Sequence, residues 1–299
     1  MTNNLNLHGV YPALVTPFDA TGKFVPAVFE RLLARVYDAG VHGVYVCGST
    51  GEGIPQSVAQ RKEVTEAALA CAAPGRRVII HVGAVTTADA VELAQHAARK
   101  GAHAVSSLPP PGAYSFVEVR EYYRALAAAS DAPMLVYFFP GASAAITTLD
   151  QLQELCALPN VIGLKFTDFD LFKLMRLKQS GATIFNGYDE VLAAGLLMGA
   201  DGGIGTTYSL LPEHYVRLYA AARDGRWEET RALQREINDL IGLVVQYPVI
   251  PATKLLLRWA GFECGECLLP RRALTPEEVA RLRDQIRQSP FQELFPGAH

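Results

Sequence analysis

The amino-acid sequence predicts a (β/α)8 barrel of the TIM type with a C-terminal helical extension. Three observations carry this. Eight short β-rich apolar runs recur along the chain, each followed by a helix-like stretch. Their starts lie between 34 residues (Gly9 to Gly43) and 18 residues (Thr183 to Asp201) apart, which is room for a strand, a helix and short loops. After the eighth unit the alternation stops and only helical patterns follow. Strand–helix alternation implies parallel strands with crossover helices, and eight units imply closure into a barrel. An open doubly wound sheet would normally show a Gly-rich dinucleotide loop after an early strand; Gly202, Gly203 and Gly205 come too late in the chain for that.

In order, the strand runs are Gly9 to Pro17, Gly43 to Gly48, Arg77 to Gly83, His103 to Pro109, Pro133 to Pro140, Val161 to Thr167, Thr183 to Tyr188 and Asp201 to Thr207. Between them lie Ala- and charge-rich segments such as Val25 to Ala39, Ser57 to Ala72 and Ala88 to Lys100. Apolar residues recur there at helical spacing, as in Val28, Leu32 and Val36. Trp227 to Tyr247, Pro251 to Trp259 and Thr275 to Arg287 read as three further helices. The last opens with Thr275-Pro276-Glu277-Glu278, an N-terminal capping signal. The division expected is 1–227 for the barrel and 228–299 for the extension. There is no low-complexity segment and no tandem repeat.

Composition bounds the partners. Of 299 residues, 50% are hydrophobic and 19% charged, enough for a sizeable core. A net charge of −3 without a basic stripe makes nucleic acid and anionic membrane poor partners, while a small acidic substrate stays possible. Met1-Thr2-Asn3-Asn4-Leu5 lacks the basic-then-apolar pattern of a signal peptide, and the apolar stretches are shorter than a membrane span or broken by Gly and Pro. Five scattered cysteines (Cys47, Cys71, Cys156, Cys264, Cys267) suggest a reducing compartment, hence the cytoplasm. Cys264-Gly265-Glu266-Cys267 is a lone CxxC without a second pair or a nearby His, a weak signal for zinc or redox chemistry.

In such a barrel, chemistry gathers at the C-terminal strand ends. In Val161-Ile162-Gly163-Leu164-Lys165-Phe166-Thr167, alternation places Ile162, Leu164 and Phe166 on one face, with Gly163, Lys165 and Thr167 on the inner one. An ammonium buried there is costly, which favours a free amine able to act as a nucleophile; the plain alternative is a lysine snorkelling to solvent. Tyr137 occupies the equivalent place in the preceding strand, so the two face each other if both point inward. A phenol there can shuttle protons, though taken alone it is more often a core aromatic. Gly48-Ser49-Thr50-Gly51-Glu52 can hold a carboxylate with N–H groups and hydroxyls, or be an ordinary tight loop. Asp189 and Glu190 can accept from sugar hydroxyls, or cap and start a helix. Gly202 to Tyr208 permits close backbone approach to a ligand, or relieves crowding inside the barrel.

Together these segments resemble the N-acetylneuraminate lyase / dihydrodipicolinate synthase superfamily over nearly the whole chain. The resemblance rests on Gly-Ser-Thr-Gly-Glu at 48–52, Tyr137 with Pro140 after it, and Gly-x-Lys-x-Thr at 163–167. The N-acetylneuraminate lyase branch fits best, through Asn186-Gly187-Tyr188-Asp189-Glu190, Ala200 to Tyr208, and His81-Val82-Gly83 with Thr86 and Thr87. No arginine occurs in Gly141-Ala142-Ser143-Ala144-Ala145, where the synthases usually carry one for their second substrate.

The resemblance implies a class I aldolase that cleaves N-acetylneuraminate or a related 2-oxo-3-deoxy sugar acid to pyruvate and an aldehyde. Lys165 would form the imine and Tyr137 move the hydroxyl proton. Ser49 and Thr50 would hold the carboxylate, and Thr167, Gly187, Asp189, Glu190 and Thr206 would line the pocket for the hydroxylated tail. No metal or organic cofactor is implied, because the imine is the electron sink, and a homotetramer is expected. Alternatives are another pyruvate-dependent aldolase, a 2-oxo-3-deoxy acid dehydratase, 4-hydroxy-tetrahydrodipicolinate synthase, or a non-catalytic 2-oxo acid sensor. Two departures stand out. Phe138 replaces a usual Asn, and Ser107-Leu108-Pro109-Pro110-Pro111-Gly112-Ala113-Tyr114 lacks an aromatic at its usual place, so either Tyr114 substitutes or the proton relay differs.

Overall fold

The computed structural model describes residues 7–299; the Met1 to Leu5 segment considered above for a signal peptide lies outside them. Among the described residues, eight parallel strands form one sheet: β1 (Gly9–Pro12), β2 (Gly43–Val46), β3 (Arg77–His81), β4 (Ala104–Ser107), β5 (Met134–Phe138), β6 (Val161–Phe166), β7 (Thr183–Asn186) and β8 (Gly202–Gly205). The order is β1-β8-β7-β6-β5-β4-β3-β2. A parallel bridge between Ala13 and Tyr45, with the Leu14 N–H donating to the Tyr45 carbonyl at 3.0 Å, joins the two ends into a barrel. No helix among the described residues is long and apolar enough to cross a membrane.

The helices that follow the strands are α1 (Pro26–Asp38), α2 (Val58–Ala70), α3 (Thr87–Arg99), α4 (Phe116–Ala128), α5 (Leu149–Cys156), α6 (Leu171–Lys178), α7 (Leu192–Leu197) and α8 (Pro212–Arg223). Local chemistry sets their starts. Ser115 and Thr148 form capping boxes with Glu118 and Gln151, satisfying N–H groups that a first turn leaves free. Three helices follow: α9 (Trp227–Val244), α10 (Val249–Trp259) and α11 (Pro276–Arg287). The Thr275 capping box forms as the sequence implied. α10 begins two residues before Pro251, which is tolerated because first-turn N–H groups lack helical partners anyway. α9 lays Leu233, Ile237, Leu240 and Val244 inward at spacings of 3 and 4, against α8 and α7.

Strand alternation sorts the core into two layers. Tyr11, Tyr45, Ile79, Leu135, Tyr137, Phe185 and Ile204 fill the barrel, while Val44, Val78, Val136, Leu164, Phe166 and Ile184 pack under the helices. One assignment is corrected. Ile162 joins the inner layer and not the face of Leu164 and Phe166. The cause is a bulge: Met134 pairs with Val161 but Leu135 pairs with Gly163, so Ile162 is the extra residue and the faces before and after it exchange. Gly163 permits this, since a Cβ there would fall 1.8 Å from the Thr183 carbonyl oxygen.

Candidate active site

Beyond the bulge, β6 brings Lys165 to the barrel axis, directly opposite Tyr137 in the β5–β6 register. Lys165 is 5% exposed. Its Nζ lies 4.1 Å from the Tyr137 ring centre and 4.9 Å from that of Tyr45. It makes no hydrogen bond or ion pair with another described residue; two aromatic faces lie against it, and the Asp189 carboxylate is close enough to feel its charge. With no hydrogen bond or ion pair occupying it, the Lys165 amine is free to react as a nucleophile with a carbonyl carbon brought to it. Tyr137 is itself buried, stacked on Phe139 and edge-on to Tyr45 and His81.

The layer below is tied down by hydrogen bonds. Tyr45 donates to Ser106 Oγ at 3.1 Å. His81 accepts from the Leu108 N–H on Nε2 at 3.0 Å and so shapes the start of the 107–114 loop. Burial, with the Arg61 and Lys165 cations nearby, holds His81 well below its ordinary pKa, so it is neutral. Arg61, buried on α2, donates to the carbonyls of His81 at 2.6 Å and Gly83 at 2.7 Å. Sequence reasoning missed this residue, because an arginine in a helical pattern reads as surface.

The loop after β2 turns through two residues in left-handed conformation, Cys47 (φ +60°) and Glu52 (φ +53°). Thr50 Oγ1 sits 2.7 Å from Thr206 Oγ1, which joins this loop to the one after β8. Glu52 turns away from the cavity into a buried ion pair with Lys254 of α10 at 2.8 Å, the side chains 0% and 2% exposed. Its other oxygen accepts the Leu268 N–H at 2.7 Å.

Asp189 follows β7 in a short 3-10 turn (Asp189–Val191), but its side chain caps neither that turn nor α7; it reaches instead to the first residue of the 3-10 turn Thr207–Ser209. Oδ2 accepts from the Thr207 N–H at 2.7 Å and the Thr207 hydroxyl at 2.6 Å, and that hydroxyl also meets Tyr215 Oη at 2.6 Å. Oδ1 rests against Gly205, where a Cβ would fall 2.0 Å away. Burial, outweighing the Thr207 hydrogen bonds, raises Asp189 from 3.8 to about 6.

These groups converge on a cavity of about 440 Å³. Ser49, Thr50, Tyr137, Lys165, Thr167, Asp189, Glu190 and Thr206 all line it, so eight of the nine residues named from the sequence meet at one place. Gly187 is not in the lining. It backs Thr167, whose Oγ1 lies 1.9 Å from where a Gly187 Cβ would stand. Tyr114 is 40% exposed and lines a separate groove with Val85, Thr87 and Pro110. The sequence reading also missed part of the wall: Ile241, Val244, Val249 and Ile250 from α9 and α10, together with Arg271. Cys264 and Cys267 are free thiols, each pushed up to about 12, chiefly by burial. Among the described residues no group of three or more His, Cys, Asp or Glu side chains is placed to hold a metal ion.

Comparison with known proteins agrees with this geometry. The model of the dihydrodipicolinate synthetase family matches residues 6–289. The chain is 38% identical over 285 residues to an N-acetylneuraminate lyase of Rhizobium meliloti (strain 1021), covering 94% of this chain and 95% of that one. It is 39% identical over 260 residues to an N-acetylneuraminate lyase of Escherichia coli (strain K12 / DH10B), covering 85% and 87%. Among solved structures, the sialic acid aldolase of Ruminococcus gnavus aligns with a TM-score of 0.90 at 31% identity, over 96% of this chain and 99% of that one. An N-acetylneuraminate lyase from Mycoplasma synoviae aligns with a TM-score of 0.84 at 29% identity, over 95% and 99%.

Proposed function

This chain belongs to the dihydrodipicolinate synthetase family, and from that premise we propose that it is a class I aldolase cleaving N-acetylneuraminate or a related 2-oxo-3-deoxy sugar acid to pyruvate and an aldehyde. The observation that carries the reading is the register pairing of a tyrosine with a buried lysine that makes no hydrogen bond, inside a cavity lined by the hydroxyls of Ser49, Thr50, Thr167 and Thr206 and the carboxylates of Asp189 and Glu190.

The reaction runs as follows. Ser49 and Thr50, the latter held by Thr206, receive the 2-oxo acid's carboxylate and place its keto carbon at Lys165. Lys165 Nζ attacks that carbon, and loss of water leaves an iminium. Tyr137 relays the proton of the hydroxyl on the carbon that becomes the aldehyde, passing its own phenolic proton to the substrate's carboxylate as it accepts this one. The electron pair of the breaking carbon–carbon bond flows into the iminium, giving an enamine and releasing the aldehyde. Protonation of the enamine carbon and hydrolysis return pyruvate and the free lysine. Asp189 Oδ1 and the Glu190 carboxylate accept hydrogen bonds from tail hydroxyls, Thr167 adds a hydroxyl, and Gly187 sets where Thr167 stands. The iminium is the electron sink, so the cycle calls for neither metal nor organic cofactor.

Incubation with pyruvate and borohydride is expected to leave a stable adduct on Lys165; an unmodified lysine would refute the mechanism. Pyruvate release from N-acetylneuraminate, lost in Lys165→Ala, separates catalysis from a sensor that only binds the acid. Five free thiols support a cytoplasmic location. We extend the proposal to a homotetramer, in keeping with the family resemblance; light scattering at the monomer mass would refute it.

A further inference from the structure

We propose that Arg271 is a specificity-determining residue that donates hydrogen bonds to the outer end of the substrate's aldehyde portion, selecting long, acceptor-rich 2-oxo-3-deoxy acids over short ones. This rests on the aldolase reading and names the part of the substrate that the inner residues do not reach.

Exposure orders the cavity from inside to outside. Thr50, Lys165, Thr167 and Asp189 are buried, Glu190 is half-buried, and Arg271 is exposed. The keto acid end therefore lies at the floor, and a tail that extends from it meets Glu190 and Arg271 at the mouth. Both side chains are available. Among the described residues, neither the Arg271 guanidinium nor the Glu190 carboxylate makes a hydrogen bond or an ion pair. On the floor, Thr50 is bonded to Thr206 and Asp189 Oδ2 to Thr207, while Thr167 Oγ1 and Lys165 Nζ are unpartnered among the described residues. A guanidinium offers only donors and a carboxylate only acceptors, so the two present complementary halves to hydroxyl and acyl groups. Ile241, Val244 and Val249 line the same cavity and offer apolar surface suited to the carbon backbone of such a tail.

The segment that carries Arg271 is fastened at several points. The Cys264 carbonyl accepts the Phe18 N–H at 3.0 Å, and Gly265 (φ +68°) packs where a Cβ would lie 1.9 Å from the Phe18 carbonyl oxygen. The Glu266 carbonyl accepts from Lys254 Nζ at 2.9 Å, the Leu268 N–H donates to Glu52, and the Arg271 N–H closes a turn on the Leu268 carbonyl at 3.1 Å. Glu52 and Lys254 are the buried pair, and Glu52 ends the loop that bears Ser49 and Thr50. The loop at the carboxylate end and the segment at the aldehyde end thus share one rigid anchor, which sets the distance between the two recognition points. An arginine fork is suited to that task because it is planar and always charged.

The test compares kcat/KM for N-acetylneuraminate and for a hexose-derived 2-oxo-3-deoxy acid in wild type, Arg271→Ala and Arg271→Lys. In Arg271→Ala the ratio of long to short substrate is expected to fall about tenfold, about 1.4 kcal/mol, mainly through KM, with Arg271→Lys in between. Borohydride trapping with pyruvate monitors the inner end in each variant. If wild type turns over both acids and the ratio stays unchanged in Arg271→Ala, or both substrates lose equally, the role of Arg271 is overturned while the aldolase reading stands. If wild type releases pyruvate from neither acid and forms no adduct, the aldolase reading fails and this inference with it.

Discussion

Replacing Lys254 with methionine isolates the anchor of the active-site loops. Methionine keeps the apolar stem and removes only the ammonium. Glu52 Oε1 then loses its partner at 2.8 Å, and the Glu266 carbonyl loses a donor at 2.9 Å, while Leu268 continues to donate to Oε2. Both side chains are at most 2% exposed, so water cannot replace what is lost. Removing one member of a buried pair typically costs about 3–5 kcal/mol, most of it the penalty of the stranded charge. An unfolding entropy of about 2.1 cal/mol/K per residue, taken over the chain, converts this into a drop in Tm of roughly 5–8 °C. Calorimetry and urea titration measure the effect. Glu52→Gln in the Lys254→Met background should recover at least about 1 kcal/mol, because it removes the stranded charge. A Lys254→Met protein melting within about 2 °C of wild type, or strictly additive losses in the double variant, would refute the buried-pair reasoning.

Other outcomes follow from the same geometry. Asp189 is raised to about 6 by burial, so between about pH 4 and 6 the folded chain keeps a proton that the unfolded chain has released. Stability should fall as pH rises through that window, and Asp189→Asn should abolish a slope worth roughly 3 kcal/mol, read as urea midpoints against pH. Below about pH 6 the carboxylate acceptor is lost, so KM for hydroxylated substrates should rise. Tyr137→Phe should lower kcat by about 10²–10⁴-fold while pyruvate can still be trapped on Lys165; an unchanged kcat would remove Tyr137 from proton transfer. Gly187→Ala places a methyl 1.9 Å from Thr167 Oγ1, so Thr167 must move and kcat/KM should fall by at least about tenfold, about 1.4 kcal/mol, in steady-state assays.

The sequence by itself determined what depends on neighbours along the chain. The eight strands follow from apolar runs of the right length, and the start of α11 from a capping box that closes within three residues. Lys165 and Tyr137 could be matched because adjacent parallel strands of similar length bring equivalent positions into register. The loops at 48–52, 186–190 and 202–208 were legible for the related reason that a barrel gathers strand ends on one face.

Only the tertiary structure decided the rest. The bulge that moves Ile162 inward depends on the Thr183 carbonyl pressing on Gly163 from the next strand. The partner of Glu52 is Lys254, and part of the cavity wall comes from α9, α10 and Arg271. A charged residue in a helix reads as solvated until the fold shows what surrounds it, which is why Arg61 and Lys254 were passed over. Alternation, capping and register act over a few residues and leave their mark in local patterns. The choice of which distant segment closes over the barrel mouth is made by burial and charge compensation across some two hundred residues, as in the Glu52–Leu268 contact, and no local pattern records it.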